Sequence, residues 1–133
     1  ISDVAVIDEE KCSGCAGCIA ICPKGAIRNV WSGSNFREKL AEYAYGASRG
    51  KDIIYIAFVH NITEACDCAG KPMKPIADNI GVLAAKDPVA LDTACLDLVQ
   101  QNSGQKLFDK GRDVLRHAEK IGLGKMEYEL IEI

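Results

Sequence analysis

Four of the chain's seven cysteines lie in one short run with the spacing C-x2-C-x2-C-x3-C: Cys12, Cys15, Cys18 and Cys22. This run constrains the fold strongly, because thiols so close in sequence are poorly placed for disulfide bonds with one another. An odd number of cysteines and the lack of a visible signal peptide also disfavour a secreted disulfide framework. Clustered cysteines in a reducing compartment are more often metal ligands or redox groups, so we expect such a centre and a cytoplasmic location.

The spacing of the run favours an iron–sulfur cluster over zinc. Three thiolates two residues apart let a tight loop wrap one corner of a cubane 4Fe–4S cluster. The residues between them are small enough for backbone amides to approach the sulfurs: Ser13, Gly14, Ala16 and Gly17. Structural zinc usually takes two separated cysteine pairs, often with histidine, which this run does not provide. The run resembles the cluster-binding loop of bacterial-type 4Fe–4S ferredoxins, which implies that its four cysteines are ligands.

The same resemblance raises a question about the number of clusters. In two-cluster ferredoxins the fourth cysteine of each run binds the other cluster. Cys12, Cys15 and Cys18 would then hold one cluster whose fourth ligand lies elsewhere, and Cys22 would serve a second cluster. Either a sister motif lies upstream in a longer protein, which we favour, or a distant cysteine completes the first site. The distant candidates are Cys66, Cys68 and Cys95.

The rest of the sequence predicts an α/β (or α+β) fold with a mostly parallel sheet. Strands are expected at 4–7, 52–59, 80–85 and 126–133, and helices at 35–48, from Pro88 to about 101, and at 105–121. The continuously apolar run 52–59 is typical of a strand buried on both faces, as in parallel sheets. Asp87 followed by Pro88 is a typical helix start. We expect a ferredoxin-like 4Fe–4S segment at 1–30, half of a two-cluster module, and the C-terminal part of an α/β domain at 31–133.

A second candidate site follows the first long strand. Cys66, Asp67 and Cys68 lie in the long polar loop after residues 52–59, and Lys86 and Asp87 follow residues 80–85. If the two strands are parallel, these groups meet at one edge of the sheet, where α/β proteins bind ligands. The simpler alternatives are incidental loop thiols and an Asp87 that only caps a helix. Cys95 has the position of a small buried apolar residue.

The second half of the chain resembles the family called domain of unknown function 362, found in archaea and anaerobic bacteria. The matching stretches are CDC (66–68), PIADNIGVLAAKDPVALDTACLDLV (75–99) and AEKIGLG (118–124). The resemblance implies a two-cluster ferredoxin module inserted in an α/β domain. It implies no particular reaction, because the activity of the family is poorly defined.

Composition narrows the function classes. A net charge of −3 disfavours general binding to nucleic acids or anionic membranes, and no apolar run approaches the roughly 18 residues that span a bilayer. We expect an electron-transfer protein that works with a soluble redox partner. Two alternatives stay open: a redox enzyme or maturation factor for a metal or cofactor, with its site near Cys66–Cys68, and a cluster with a purely structural role. Neither the oligomeric state nor enzymatic activity follows from the sequence.

Overall fold

The computed structural model describes residues 6–12, 15–28, 35–65 and 72–133. The chain divides into two compact units, 1–34 and 35–133. In the described part of the first unit there is one short helix, α1 (Gly17–Ile21). The second contains α2 (Phe36–Ser48), β1 (Tyr55–Val59), β2 (Gly81–Ala85), α3 (Pro88–Ser103) and α4 (Asp109–Lys120). The expected mixture of helices and strands is confirmed, and within the described ranges no helix has both the length and the apolar character needed to cross a membrane.

The sheet is antiparallel, so the expectation of a mostly parallel sheet is wrong for the strands described. β1 and β2 form a two-stranded sheet in which Tyr55 pairs with Ala85 and Val59 with Gly81. The intervening loop returns on itself: Asn79 Oδ1 accepts a hydrogen bond from Asn61 N at 2.8 Å, and Ile62 O accepts one from Ile76 N at 2.8 Å. A continuous apolar run marks a strand but carries no information about its direction, which is why the prediction failed.

One face of this sheet is exposed, although the sequence predicts burial on both faces for residues 52–59. Helix α3 contacts both strands, and the side chains of β1 alternate between covered and exposed positions. Phe58 is 73% exposed, and its cross-strand neighbour Val82 is 56% exposed. Helix packing on one side leaves the other side open, so the strands have the alternating burial of a one-sided antiparallel sheet.

The core of the second unit lies between its helices. Val89 of α3 is only 1% exposed and clusters with Ala41 of α2 and with Leu115 and Ala118 of α4. Two contacts join α2 to α4 at the rim of this core. Arg37 Nη1 donates to Asp113 Oδ2 at 3.0 Å, and His117 Nε2 lies 3.2 Å from Glu42 Oε1. His117 thus bridges the two helices.

The helix starts show which local signals are strong. The Asp87 carboxylate accepts hydrogen bonds from Val89 N at 2.8 Å and Ala90 N at 3.0 Å, so the predicted cap of α3 is confirmed. Asn35 precedes α2, but its backbone is left-handed (φ 60°) and its side chain makes no capping hydrogen bond. Helix α4 begins four residues later than expected, because the left-handed Phe108 precedes it.

The predicted closing strand at 126–133 does not form a strand. The alternation of apolar and acidic residues in this segment favours a strand with one buried face, but Leu130 and its neighbour Ile131 are both exposed. The segment attaches to helices instead of a sheet edge. The Tyr128 hydroxyl donates to Asp97 Oδ2 at 3.0 Å, and Asp97 also pairs with Arg112 of α4. Of the other terminal strand expected, at 4–7, residues 4 and 5 lie outside those described, and residues 6 and 7 are not part of a strand.

Candidate metal centre

The described part of the cysteine run contains a single helical turn at 17–21 and a second turn at 23–24. Cys12 and Cys15 lie before α1, which begins after a left-handed Ala16 (φ 58°). Cys18 lies within α1, and Cys22 ends it with an extended backbone. This helical turn thus precedes the fourth cysteine of the run. Cys12, Cys15 and Cys18 are exposed, and Cys22 is partly covered.

The sulfur of Cys22 lies in a nest of backbone amides. The turn after it closes through a hydrogen bond from Gly25 N to Cys22 O at 3.2 Å, with Gly25 at φ +57°. Backbone hydrogen bonds, first from Ala26 and then from Lys24, lower the pKa of the Cys22 thiol. Amides that stabilise a thiolate are the interaction that metal–sulfur sites need around their ligands. These amides belong to residues that follow Cys22, whereas the sequence predicts amides from the residues between the first three cysteines; that expectation stays a prediction.

The small residue at position 17 is less restricted than expected. A methyl group added to Gly17 would meet the Cys15 sulfur at 3.7 Å, which is an ordinary van der Waals contact. Space alone therefore does not require glycine beside that sulfur.

Alkylation of the metal-free chain tests the electrostatics of Cys22. Amide hydrogen bonds lower the pKa of Cys22, whereas burial, followed by the nearby Asp92 carboxylate, raises the pKa of Cys95. Because the thiolate is the nucleophile, iodoacetamide at pH 7–8 is expected to label Cys22 at least several-fold faster than Cys95. Raising the pH should reduce the difference between the two labelling rates, because more of the Cys95 thiol is then ionised. Peptide mass spectrometry measures both rates, and faster labelling of Cys95 at neutral pH would contradict the assignment.

The fit of this loop to a metal group is partial. Its donors are soft thiols, which suit iron–sulfur clusters. Within residues 6–12, 15–28, 35–65 and 72–133, however, no three histidine, cysteine, aspartate or glutamate side chains converge in a way that would hold a metal ion. The thiols and the backbone amides near Cys22 therefore suit an iron–sulfur cluster. In the described residues, however, no three ligand side chains lie close enough together to hold a metal ion.

The second candidate site, Cys66, Asp67 and Cys68, falls outside the described residues, so its placement stays a prediction. The reason for joining it to Lys86 and Asp87 no longer holds. In the antiparallel sheet the end of β1 lies beside Gly81, and the end of β2 lies beside Tyr55. Lys86 accordingly pairs with Asp52, before β1, at 3.8 Å.

Asp87 has a structural role in addition to capping α3. Its second carboxylate oxygen accepts a hydrogen bond from Lys125 N at 2.8 Å. Gly124 packs so closely on this carboxylate that an added methyl group would overlap it. The side chain thus fastens residues 124–125 to the start of α3, a role that the sequence reasoning missed. The GLG stretch at 122–124 was the available signal, because paired glycines often mark a close backbone approach.

Comparison with known proteins gives one match. The family model described as Domain of unknown function (DUF362) matches residues 13–97, which include three of the four clustered cysteines and both strands. Neither the curated proteins nor the solved structures contain a match. Since the matched residues make up well over half of the 133-residue sequence, the chain belongs to the DUF362 family.

Proposed function

We propose that the unit formed by residues 1–34 binds a 4Fe–4S cluster through Cys12, Cys15 and Cys18. Cys22 is then a ligand of a second cluster. The observation that carries the proposal is the C-x2-C-x2-C-x3-C spacing, which places three soft thiols within one short segment. Membership of a family associated with iron–sulfur proteins supports it. The backbone amides that lower the pKa of the Cys22 thiol support the role of that residue as a ligand of the second cluster.

The bound cluster serves electron transfer to and from a soluble redox partner in the cytoplasm. A 4Fe–4S cluster accepts and returns one electron at a time, at a potential set by its charge, its hydrogen bonds and its exposure. The three cysteines assigned to the first cluster are exposed, so a docked partner has short access to the iron. The acidic chain, with a net charge of −3, favours a partner that presents a basic docking face.

An EPR-monitored redox titration of the anaerobically purified chain tests electron transfer. The proposal predicts a signal that appears on reduction with dithionite, disappears on reoxidation, and follows a one-electron Nernst curve in both directions. A cluster that cannot be reduced without unfolding the chain would instead assign it the purely structural role. The Cys95→Ser chain is the control, because that cysteine belongs to the other unit.

A further inference from the structure

A basic cleft lies in the 35–133 unit, far in sequence from the clustered cysteines. Its volume is about 350 Å³, and it is bordered by the end of α2, the start of β1 and the start of α3. The antiparallel sheet creates it, because pairing of Tyr55 with Ala85 brings Lys86 next to the segment that follows α2. Arg49, Lys51 and Lys86 line this cleft.

The charge of the cleft is opposite to that of the protein. Its three cations face one carboxylate, Asp52, which leaves a net charge of +2 in a chain whose total is −3. The start of α3 at Pro88 adds nothing to this positive charge, because its first free amides donate to the Asp87 carboxylate, whose negative charge offsets the helix dipole.

Two of the cations have donors to spare. Lys51 is engaged, since its Nζ donates to Ala47 O at 2.7 Å and so caps α2. Lys86 has only the 3.8 Å contact with Asp52, and both side chains are more than three-quarters exposed, which makes that pair weak. Arg49 lies over the Tyr45 ring at 5.9 Å, and no carboxylate partner is recorded for it within the part of the chain that the structure describes.

We propose that this cleft binds a small organic phosphate, with the phosphate group held by Arg49 and Lys86. A phosphate monoester carries close to two negative charges at neutral pH, which matches the charge of the cleft. The planar guanidinium of Arg49 presents paired donors that suit phosphate oxygens. Pro88, Leu123 and Tyr55 supply apolar surface for the organic part. The volume is at the low end of ligand pockets and accommodates a group the size of one aromatic ring.

Calorimetric titration of the full chain with phenyl phosphate tests this site. We expect saturable binding that is tighter than for inorganic phosphate, because the ring covers the apolar wall. Arg49→Gln and Lys86→Gln should each weaken binding about tenfold or more, as expected for a lost charge-assisted hydrogen bond. Arg49→Lys keeps the positive charge but loses the paired donors of the guanidinium, so it should also weaken the binding of phenyl phosphate. All replaced side chains lie at the surface, and circular dichroism checks that each variant is folded.

Lys106→Gln is the matched control, since Lys106 is an exposed lysine outside the cleft. This variant should bind phenyl phosphate with unchanged affinity. An equal loss of affinity in that variant would assign the binding to general electrostatics and overturn the site. No saturable binding at millimolar phenyl phosphate, or equal binding of phenol, would also overturn it. The inference is independent of the iron proposal, because these variants leave the cysteines untouched.

Discussion

Replacement of Cys18 by serine is expected to remove most of the iron and inorganic sulfide from the anaerobically purified chain. Cys18 is an exposed residue of α1 and one of the three cysteines assigned to the first cluster. Serine keeps nearly the same shape but replaces a soft thiolate by a hydroxyl that ionises poorly, so the iron loses a ligand. Iron and sulfide assays on equal amounts of protein measure the effect.

Two further cysteine variants make this result specific. Cys95→Ser is the matched control, because Cys95 is partly buried on α3 in the 35–133 unit. It should keep its iron, and loss of iron there would instead identify Cys95 as the distant fourth ligand. Cys22→Ser should remove less iron than Cys18→Ser, since Cys22 is assigned to a different cluster. A Cys18→Ser chain with undiminished iron and sulfide would contradict the ligand assignment.

Replacement of Asp87 by alanine is expected to lower the free energy of unfolding of the 35–133 unit by about 2–3 kcal/mol. One carboxylate accepts three backbone hydrogen bonds, two from the first turn of α3 and one from Lys125. Loss of a helix cap costs about 0.5–2 kcal/mol, and a hydrogen bond to a charged group contributes about 1.5–3 kcal/mol. Urea unfolding followed by circular dichroism gives the change as a shift in midpoint.

Gly124→Ala tests the same contact from the other side. The added methyl group overlaps the Asp87 carboxylate, so one of them must move, at a cost of about 1–3 kcal/mol. In a chain that already carries Asp87→Ala, Gly124→Ala should lower the free energy of unfolding much less, because the carboxylate that the methyl group overlaps is absent.

Gly46→Ala is the control for this pair of variants. It lies inside α2 with open space around an added methyl group, and it should stabilise the chain by about 0.5–1 kcal/mol. A Gly124→Ala chain as stable as the Gly46→Ala chain would contradict the packing described.

Local signals in the sequence were sufficient for several elements. The Asp87–Pro88 pair fixes the start of α3, because a capping carboxylate and a proline at the first helical position act within one turn. The presence of β1 follows from composition, since β-branched and aromatic residues are concentrated there. The sequence predicts β2 from its short apolar run alone. The spacing of the clustered cysteines predicts the donor set, and that stays a prediction; it gave neither the position of α1 nor the amides that follow Cys22.

Features that depend on contacts between residues distant in sequence could not be predicted from local sequence signals. The direction of β1 against β2 is decided by the path of the 21 residues between them, and no residue within either strand specifies it. The basic cleft depends on that direction, because Lys86 reaches Asp52 only in the antiparallel register. The fastening of residues 124–125 likewise joins positions 38 residues apart, which no local pattern encodes.

The most direct test of the central claim is the metal and sulfide content of the anaerobically purified chain. The account predicts iron and acid-labile sulfide in equal amounts, no stoichiometric zinc, and an EPR signal after reduction with dithionite. Bound zinc without sulfide, or covalent pairing among Cys12, Cys15, Cys18 and Cys22, would contradict it.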